Sequence, residues 1–390
     1  MPVVTALSSK ARQNGASARR TARRLFACGA VTITLSLTGC ASADKGLLQP
    51  IEKTDTQAKQ LTMLAVTTRK PEPGKTGFMF GHERDSTVHF VRLTMSMPKG
   101  REAGTLPVST SNPDPKTDIT LLNATPLSYA QFKAETAMPK TTAGKAANRA
   151  MIFTHGFNTR FDQAAVRYAQ IIEDTGFDGR PILFSWPSHG IPTGYGYDKD
   201  SANYSRDALQ QLIDGLAREK SLERVDIFAH SMGTWLTMET LRQMALSKDK
   251  AALDRIGTVI LAAPDIDLDV FRTQVSQLGP LSQRIKVYVS ADDRALQLSR
   301  RLFGGKIRAG ETTDLAQFRA LGIEAYDISE VKGGFGKNHN KAFGDGQTIA
   351  SIGQSLSNRP GLISSSLQQL VVAVPRLDDA LLIATDQNKL

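Results

Sequence analysis

Ser231 is the residue of this chain whose surroundings point most directly to chemistry, because small residues flank it in the pentapeptide AHSMG at 229–233. An apolar, strand-like run precedes the pentapeptide at 225–228, and a helix-like run follows at 234–246. A small-x-Ser-x-small segment between a strand and a helix is typical of a nucleophile elbow, a strained turn that exposes the serine hydroxyl. The helix N-terminus then directs backbone N–H groups at the reacting carbonyl. The pattern predicts a serine nucleophile for acyl transfer.

A base for this serine is expected downstream of it, because the order Ser, acid, His is typical of chains with such an elbow. Of the six histidines, His339 alone lies well downstream of Ser231. It follows a strand-like run at 323–328 and the glycine-rich stretch 333–336. His230 is a poor candidate, because adjacent side chains at a tight elbow point away from each other. We therefore predict His339 as the general base.

Three aspartates are candidates for the acid that orients this histidine. Asp292 and Asp293 follow a strand-like run at 285–289, and a helix-like stretch comes next at 294–302. Sites collect at such carboxyl ends of strands in open α/β sheets. One of the pair is expected to fix the tautomer of the histidine and the other to cap the helix. We favour Asp293 as the acid, with Asp292 and Asp265, which also ends a strand-like run, as alternatives.

An oxyanion hole is predicted upstream of the elbow. The short apolar run at 151–154 leads into His155, and Gly156 then allows the backbone to approach a substrate closely. We expect the backbone N–H groups of Phe157 and Met232 to bind the developing oxyanion. His155 is not expected to bind a metal, because no second ligand lies at a suitable spacing. No cofactor is implied.

The elements around these residues predict an α/β fold. The runs at 61–68 and 88–95 are strand-like and are expected to form the first, antiparallel strands. Residues 98–118 are rich in Pro, Thr, Ser and Asp and predict a loop, and a short helix is expected at 129–135. Strands and helices alternate over 151–328, which predicts a mainly parallel sheet with helices on both faces.

Five segments resemble a bacterial family of α/β-hydrolase-fold proteins whose function is unknown. They are HGFN at 155–158, FSWP at 184–187, AHSMG at 229–233, AAPD at 262–265 and SADDRAL at 290–296. The resemblance covers roughly residues 60–345 and implies the α/β-hydrolase fold with a Ser-acid-His site, without supplying a substrate. After the histidine this chain has Asn340 and Lys341, whereas the family leads us to expect a small or aromatic pair.

The first 39 residues resemble a bacterial lipoprotein signal peptide. They contain six Lys or Arg residues and no acid, followed by an apolar run at 25–37 that is too short to span a bilayer. The run ends in LTGC, so Cys40 is the expected lipidation site, and an uncleaved anchor is the alternative. Export by the general or the twin-arginine route stays open. Ala41 after the cysteine favours the outer membrane, with the domain facing the periplasm.

Four segments follow from these observations. They are the signal peptide at 1–39, a polar tether at 40–60, a hydrolase domain at 61–358 and a C-terminal helix or tail at 359–390.

The net charge argues against a nucleic-acid-binding protein, and the cysteine content argues against a domain stabilised by disulfides. The formal net charge is +10, but the six cations of the signal peptide leave +4 on the mature chain, which argues against a nucleic-acid-binding protein. The two cysteines, Cys28 and Cys40, lie within or directly after the signal peptide, so no disulfide is expected in the mature domain.

The function predicted from the sequence is hydrolysis of a small-molecule carboxylic ester by an acyl-enzyme in the cell envelope. The catalytic set would be Ser231, Asp293 and His339. An envelope acyltransferase on the same triad and a catalytically silent, lipid-anchored binding protein are the alternatives. Membrane association would depend on the lipid on Cys40. The sequence leaves the acyl length and the oligomeric state open.

Overall fold

The structure is a computed structural model that describes residues 45–51, 55, 57–137, 148–302, 305–332 and 338–357. The predicted signal peptide, Cys40 and the C-terminal stretch 359–390 lie outside the described residues. The strands are β1 Lys59–Pro71, β2 Phe80–Met97, β3 Thr120–Leu127, β4 Arg149–Thr154, β5 Arg180–Ser185, β6 Arg224–His230, β7 Ile256–Ala262, β8 Ile285–Val289 and β9 Glu324–Asp327.

The helices alternate with these strands along most of the chain. They are α1 Tyr129–Thr136, α2 Phe161–Thr175, α3 Tyr195–Tyr204, α4 Arg206–Ala217, α5 Met232–Leu246, α6 Lys250–Asp254, α7 Leu268–Ser276, α8 Arg294–Leu302, α9 Leu315–Ala320, α10 Lys341–Gly344 and α11 Gly346–Ser357, with a 3₁₀-helix at Gly279–Arg284. None of the helices within the described ranges is both long and apolar enough to cross a membrane.

The described strands form one nine-stranded sheet in the order β3-β2-β1-β5-β4-β6-β7-β8-β9. β1 pairs with β2 and β2 with β3 in antiparallel fashion, whereas every pairing from β1–β5 to β8–β9 is parallel. The predicted mainly parallel sheet with antiparallel first strands is thus confirmed. The sequence did not predict β3, and β2 extends well beyond the predicted run at 88–95.

Two hydrophobic cores cover the two faces of the sheet. Side chains alternate along the buried strands, so that Ile152 of β4 packs in one core while Met151 and Phe153 pack in the other. Helices α4, α5 and α7 contribute to the first core, and α2, α10 and α11 to the second. Helices therefore lie on both faces, as predicted.

The order of the parallel strands brings the candidate residues to one edge of the sheet. β4, β6, β7, β8 and β9 are successive neighbours, and the segments that follow them start at their carboxyl ends. Those segments carry the predicted oxyanion loop, Ser231, Asp265, Asp293 and His339 in that order. Binding sites of open parallel sheets lie at this edge.

The predicted tether is shorter than the sequence indicates, because residues 45–51 pack against the domain. Leu48 is 1% exposed and belongs to the second core. Backbone N–H groups of Gly46 and Leu48 donate to the carbonyl oxygens of Thr76 and Gly77 at 2.9 and 3.0 Å. An apolar side chain within a polar stretch was the signal that these residues fold with the domain.

Candidate active site

Ser231 occupies the tight turn between β6 and α5. Its φ of 52° and ψ of −123° fall in a region that residues with side chains rarely adopt. The turn leaves no room for a side chain at Gly233, where an added Cβ would lie 2.4 Å from the carbonyl oxygen of His155. Ala229 stands where the pentapeptide of an elbow usually begins with glycine, and its methyl group is fully buried there. The elbow geometry expected from the pentapeptide is present.

The loop after β4 lies directly against this elbow. An added Cβ on Gly156 would be 2.9 Å from the Cβ of Ser231, so glycine permits the close approach of the two segments. Within the described chain, no backbone carbonyl accepts a hydrogen bond from the N–H of Phe157 or Met232. These are the two N–H groups that the sequence assigns to the oxyanion hole.

His339 and Asp293 are joined by a short hydrogen bond. The Nδ1 of His339 lies 2.6 Å from Oδ2 of Asp293, whose side chain is almost fully buried. Because a carboxylate only accepts hydrogen bonds, Nδ1 carries the proton and Nε2 is the basic nitrogen of the ring. The structure thus pairs the favoured acid with the predicted base.

The prediction that one of the two adjacent aspartates orients the histidine and the other caps the helix is wrong. The second oxygen of Asp293 accepts from the backbone N–H groups of Ala295 and Leu296 at 3.0 and 3.1 Å, so one residue both caps α8 and holds the histidine. Asp292 does neither. Its carboxylate oxygens lie 2.7 and 2.8 Å from Nζ of Lys341, a lysine that is almost fully buried.

The Asp292–Lys341 pair ties the histidine segment to the turn after β8. Asn338 also donates to Asp292 at 2.9 Å, and Lys341 donates to the carbonyl oxygen of Ser329. Burial acts to raise the pKa of Asp292, but the hydrogen bonds from Lys341 and Ser290 hold it below its ordinary value. Residues on both sides of His339 are therefore fastened beside Asp293.

Asp265, the remaining candidate acid, is committed to a different network. Its two oxygens accept from the hydroxyl groups of Tyr195 and Ser299, both at 2.9 Å, and Arg308 lies 3.3 Å away. Asp265 thereby joins α3, α8 and the segment after α8. It makes no hydrogen bond to His339.

His230 supports the candidate base from the side. Its Nε2 lies 3.2 Å from the carbonyl oxygen of His339, and the two imidazole rings are 4.7 Å apart. Burial lowers the pKa of His230 well below its ordinary value, and the neighbouring His339 lowers it further. A neutral, buried imidazole fits a packing role, in agreement with its exclusion as the base for Ser231.

His155 is buried under the predicted oxyanion loop. Its Nδ1–H donates to the carbonyl oxygen of Gly156 at 2.9 Å, its Nε2 faces Arg69 at 3.3 Å, and its ring stacks on Trp186. Burial, and then the positive charge of Arg69, lower the pKa of His155 to about 3. The described residues contain no cluster of His, Cys, Asp or Glu that could hold a metal ion.

A family model described as "Alpha/beta hydrolase of unknown function" matches residues 130–356, more than half of the chain. The chain belongs to this family of α/β-hydrolases. The match agrees with the resemblance noted in the sequence, and it covers the elbow, the oxyanion loop, Asp293 and His339.

One curated relative and several solved structures are similar to this α/β-hydrolase. The uncharacterized protein alr1448 of Nostoc sp. is 27% identical over 135 residues, which cover 28% of this chain and 35% of the relative. The chain thus matches about a third of that relative's length.

The similar solved structures include lipase B of Aspergillus fumigatus, at 13% identity and a TM-score of 0.36, over 56% of this chain and 55% of that one. The esterase domain of a Rhodothermus marinus protein gives 10% identity and a TM-score of 0.32, over 77% and 97% of the two chains. Esterase 2 of Thermogutta terrifontis gives 15% identity and a TM-score of 0.32, over 61% of this chain and 89% of that one. Identities and TM-scores this low say nothing about the substrate of this chain.

Sequence reasoning missed the residues that hold the predicted oxyanion loop of this α/β-hydrolase. Arg69 of β1 donates to the carbonyl oxygen of Thr159 at 2.7 Å, and Asp198 of α3 accepts from the N–H of Asn158 at 3.0 Å. Burial lowers the pKa of Arg69 to about 9, while Asp198 acts to raise it. An arginine at the end of the apolar run 61–68 was the one available signal.

A cavity of about 370 Å³ adjoins the site. His339 and His230 line it on one side, and Gly156 and Phe157 line it on the other. Ser231 does not line the cavity itself, but Gly156, which lies against the elbow, does. A larger cavity of about 550 Å³ lies between β2, α1 and α4, and none of the candidate catalytic residues lines it.

Proposed function

We propose that this α/β-hydrolase is a serine esterase with the catalytic triad Ser231, Asp293 and His339. The observation that carries the proposal is the 2.6 Å hydrogen bond between His339 and Asp293, in a chain whose Ser231 occupies a strained elbow at the same edge of the sheet. A buried carboxylate that fixes the tautomer of a histidine is the arrangement that activates a serine hydroxyl. The family match establishes the hydrolase fold, and the triad supplies the reaction type.

The first half of the reaction forms an acyl-enzyme. His339 Nε2 takes the proton of the Ser231 hydroxyl while Oγ of Ser231 attacks the ester carbonyl carbon. The N–H groups of Phe157 and Met232 bind the oxyanion of the tetrahedral intermediate. The intermediate collapses, the alcohol leaves with the proton from His339, and the acyl group stays on the serine.

Water completes the second half by the same route. His339 takes a proton from the water, which attacks the acyl carbonyl, and Ser231 leaves with that proton. Esters are the substrate class we favour, because they need less help for the leaving group than amides. A transferase would deliver the acyl group to another hydroxyl, so product analysis in the presence of a competing alcohol separates the two reactions.

Hydrolysis of para-nitrophenyl butyrate tests the proposed reaction. Loss of a nucleophile that acts within a triad typically lowers kcat by a factor on the order of 10⁶, so Ser231→Ala should bring turnover to the background rate. Ser276→Ala removes an exposed serine of α7 and should leave turnover unchanged. Undiminished hydrolysis by Ser231→Ala, with unchanged circular dichroism, would refute the assignment.

We further propose that the enzyme is a lipoprotein of the cell envelope, anchored through Cys40. Support comes from the basic n-region, the short apolar run and the LTGC sequence. One acyl chain gives only marginal membrane binding, whereas several chains hold firmly. The domain would then face the periplasm, with its tether reduced to the residues before Lys45.

Intact mass spectrometry after expression in a Gram-negative host tests the anchor. The mature chain should begin at a lipidated Cys40 and fractionate with membranes. Cys40→Ser should abolish lipidation, whereas Cys28→Ser, which lies within the signal peptide, should leave the mature product unchanged. A soluble, full-length chain with an unmodified Cys40 would refute this part of the proposal and leave the esterase assignment untouched.

A further inference from the structure

The cavity beside the candidate triad has both apolar and polar walls. Its volume of about 370 Å³ lies in the range of small-ligand pockets. The apolar side chains that line it come from the N-terminal segment, the loop after β2, β4 and the loop after it, α2 and α10. They are Leu47, Leu106, Val108, Phe153, Phe157, Ala164, Val166 and Phe343.

Among the described residues that line this cavity, Arg167 of α2 is the one lysine or arginine, and none is an aspartate or a glutamate. Its guanidinium lies over the ring of Phe343 at 4.8 Å, and one of its Nη atoms donates to Gln170 at 2.6 Å. No carboxylate of the described chain forms an ion pair with it within 4.0 Å. A permanent cation thus borders a partly apolar space, and the described part of its walls contains no acidic residue.

Asp174, the acid whose charge acts on this arginine, is already satisfied by other donors. Asp174 accepts from Arg101, from the backbone N–H of Gly104 at 2.8 Å and from Gln170 at 2.7 Å. Burial lowers the pKa of Arg167 to about 10, and Asp174 only partly offsets this, so the side chain stays cationic at neutral pH while it has lost much of its hydration. A poorly solvated cation without a carboxylate partner attracts an anionic ligand.

An occupant of the cavity would lie against the reacting groups. His339 and Phe157, the proposed base and one proposed oxyanion donor, both line the cavity. Gly156 also lines the cavity, and an added Cβ on this glycine would be 2.9 Å from the Cβ of Ser231. A small molecule with its apolar part in this space could therefore present an ester to the elbow.

We infer that the enzyme prefers esters whose apolar part carries an anionic group, and that Arg167 binds this group. The inference rests on the proposed esterase function and adds the chemical class of the substrate. The anion could belong to the acyl part or to the alcohol part of the ester. Arginine suits either a carboxylate or a phosphate, because its guanidinium offers two parallel donors.

Two matched pairs of esters distinguish an anionic group on the acyl part from one on the alcohol part. For the acyl part, kcat/KM is compared for mono-para-nitrophenyl glutarate and para-nitrophenyl pentanoate. For the alcohol part, it is compared for the acetyl esters of para-hydroxybenzoate and para-hydroxybenzamide. Each pair is measured with the wild type, Arg167→Gln, Arg167→Lys and the control Arg206→Gln, which lies on α4 away from the cavity.

Arg167→Gln should lower the ratio of anionic to neutral kcat/KM roughly 10- to 100-fold in one of the two pairs, since a hydrogen bond to a charged group contributes that much. Turnover of the neutral esters should fall less than that of the anionic esters, Arg167→Lys should keep part of the preference, and Arg206→Gln should keep all of it. A ratio that Arg167→Gln leaves unchanged in both pairs, or a parallel loss with neutral esters, would overturn the inference.

A binding measurement keeps the inference testable even if the esterase assignment fails. Calorimetric titration of the Ser231→Ala protein with hexanoate and with hexanamide compares an anion with a neutral molecule of similar shape. Tighter binding of hexanoate that is lost in Ser231→Ala/Arg167→Gln supports the anion site without any turnover. Equal binding of the two molecules would overturn it, whereas failure of the esterase function alone would show as absent hydrolysis with this binding preference intact.

Discussion

At the scale of single residues, Asp293 both orients the histidine and caps a helix, whereas the sequence predicts these two functions for different aspartates. One oxygen holds His339 at 2.6 Å and the other caps α8. The spacing of strand and helix places a pair of aspartates at the right end of β8, but spacing alone cannot tell which side chain turns toward the histidine. In the structure Asp293 meets the histidine, and Asp292 binds Lys341 instead.

Replacement of Asp293 tests this assignment. Asp293→Asn should lower kcat by roughly 10⁴, because an amide favours the wrong tautomer of His339. The asparagine oxygen can still cap α8, so we expect little loss of thermal stability. Steady-state ester hydrolysis and thermal melting measure the two effects separately.

The two alternative acids serve as matched controls. Asp265→Asn should affect stability more than kcat, because Asp265 joins Tyr195 and Ser299 and does not contact the histidine. If Asp265→Asn or Asp292→Asn lowered kcat more than Asp293→Asn, the acid would be misassigned.

At the scale of elements, the segments after β4 and β9 are held by buried charged side chains that sequence patterns do not reveal. Arg69 and Asp198 fix the loop after β4, and Lys341 fixes the segment that carries His339. These partners are far apart in the chain, so their contacts follow from the assembled sheet rather than from local spacing. The sequence predicts where the loops start, but not what orders them.

Removal of the Lys341 charge tests whether this pair positions the base. Lys341→Met should lower kcat by roughly tenfold or more while KM changes little, because the histidine is displaced and the substrate pocket is kept. Lys341→Arg should restore part of the rate, since it keeps the charge. An unchanged kcat for Lys341→Met would show that the Asp292–Lys341 pair has no part in catalysis.

The neutral state of His155 predicts a dependence of stability on pH. Its pKa is about 3 in the folded protein and about 6.5 in an unfolded chain. Between these values only the unfolded chain takes up the proton, so folding stability falls as the pH falls from about 6.5 toward 3. Urea unfolding from pH 4 to 6 measures the slope.

His155→Gln should reduce that slope by about one proton, because the titrating group is gone. Equal slopes for His155→Gln and the wild type would contradict a neutral, buried His155.

At the scale of the whole molecule, the alternation of strands and helices was sufficient to predict the sheet and its parallel direction. β3 was missed because its sequence, TLLNATPL, includes asparagine and proline and has a weak strand pattern. The N-terminal segment was assigned to the tether because it is polar apart from a few residues. Its fixed position depends on Leu48 and on backbone hydrogen bonds to the turn before β2.

Two shortened chains test whether residues 45–51 belong to the domain. A chain that starts at Lys45 should keep the stability of the mature protein, whereas one that starts at Gln57 loses Leu48 from the core. Removal of a buried leucine side chain typically costs about 2–5 kcal/mol, and the urea midpoint should fall accordingly. Leu48→Ala in the longer chain should reproduce much of this loss, and equal midpoints for all three would place the segment outside the fold.

The most direct test of the proposed enzyme is labelling by a fluorophosphonate, which reacts only with an activated serine. Intact mass spectrometry should show one adduct on the wild type, peptide mapping should place it on Ser231, and Ser231→Ala should remain unlabelled. His339→Ala should slow the labelling strongly, because the base is lost. A wild-type protein that stays unlabelled, or an adduct that persists in Ser231→Ala, would contradict the assignment of Ser231 as the nucleophile.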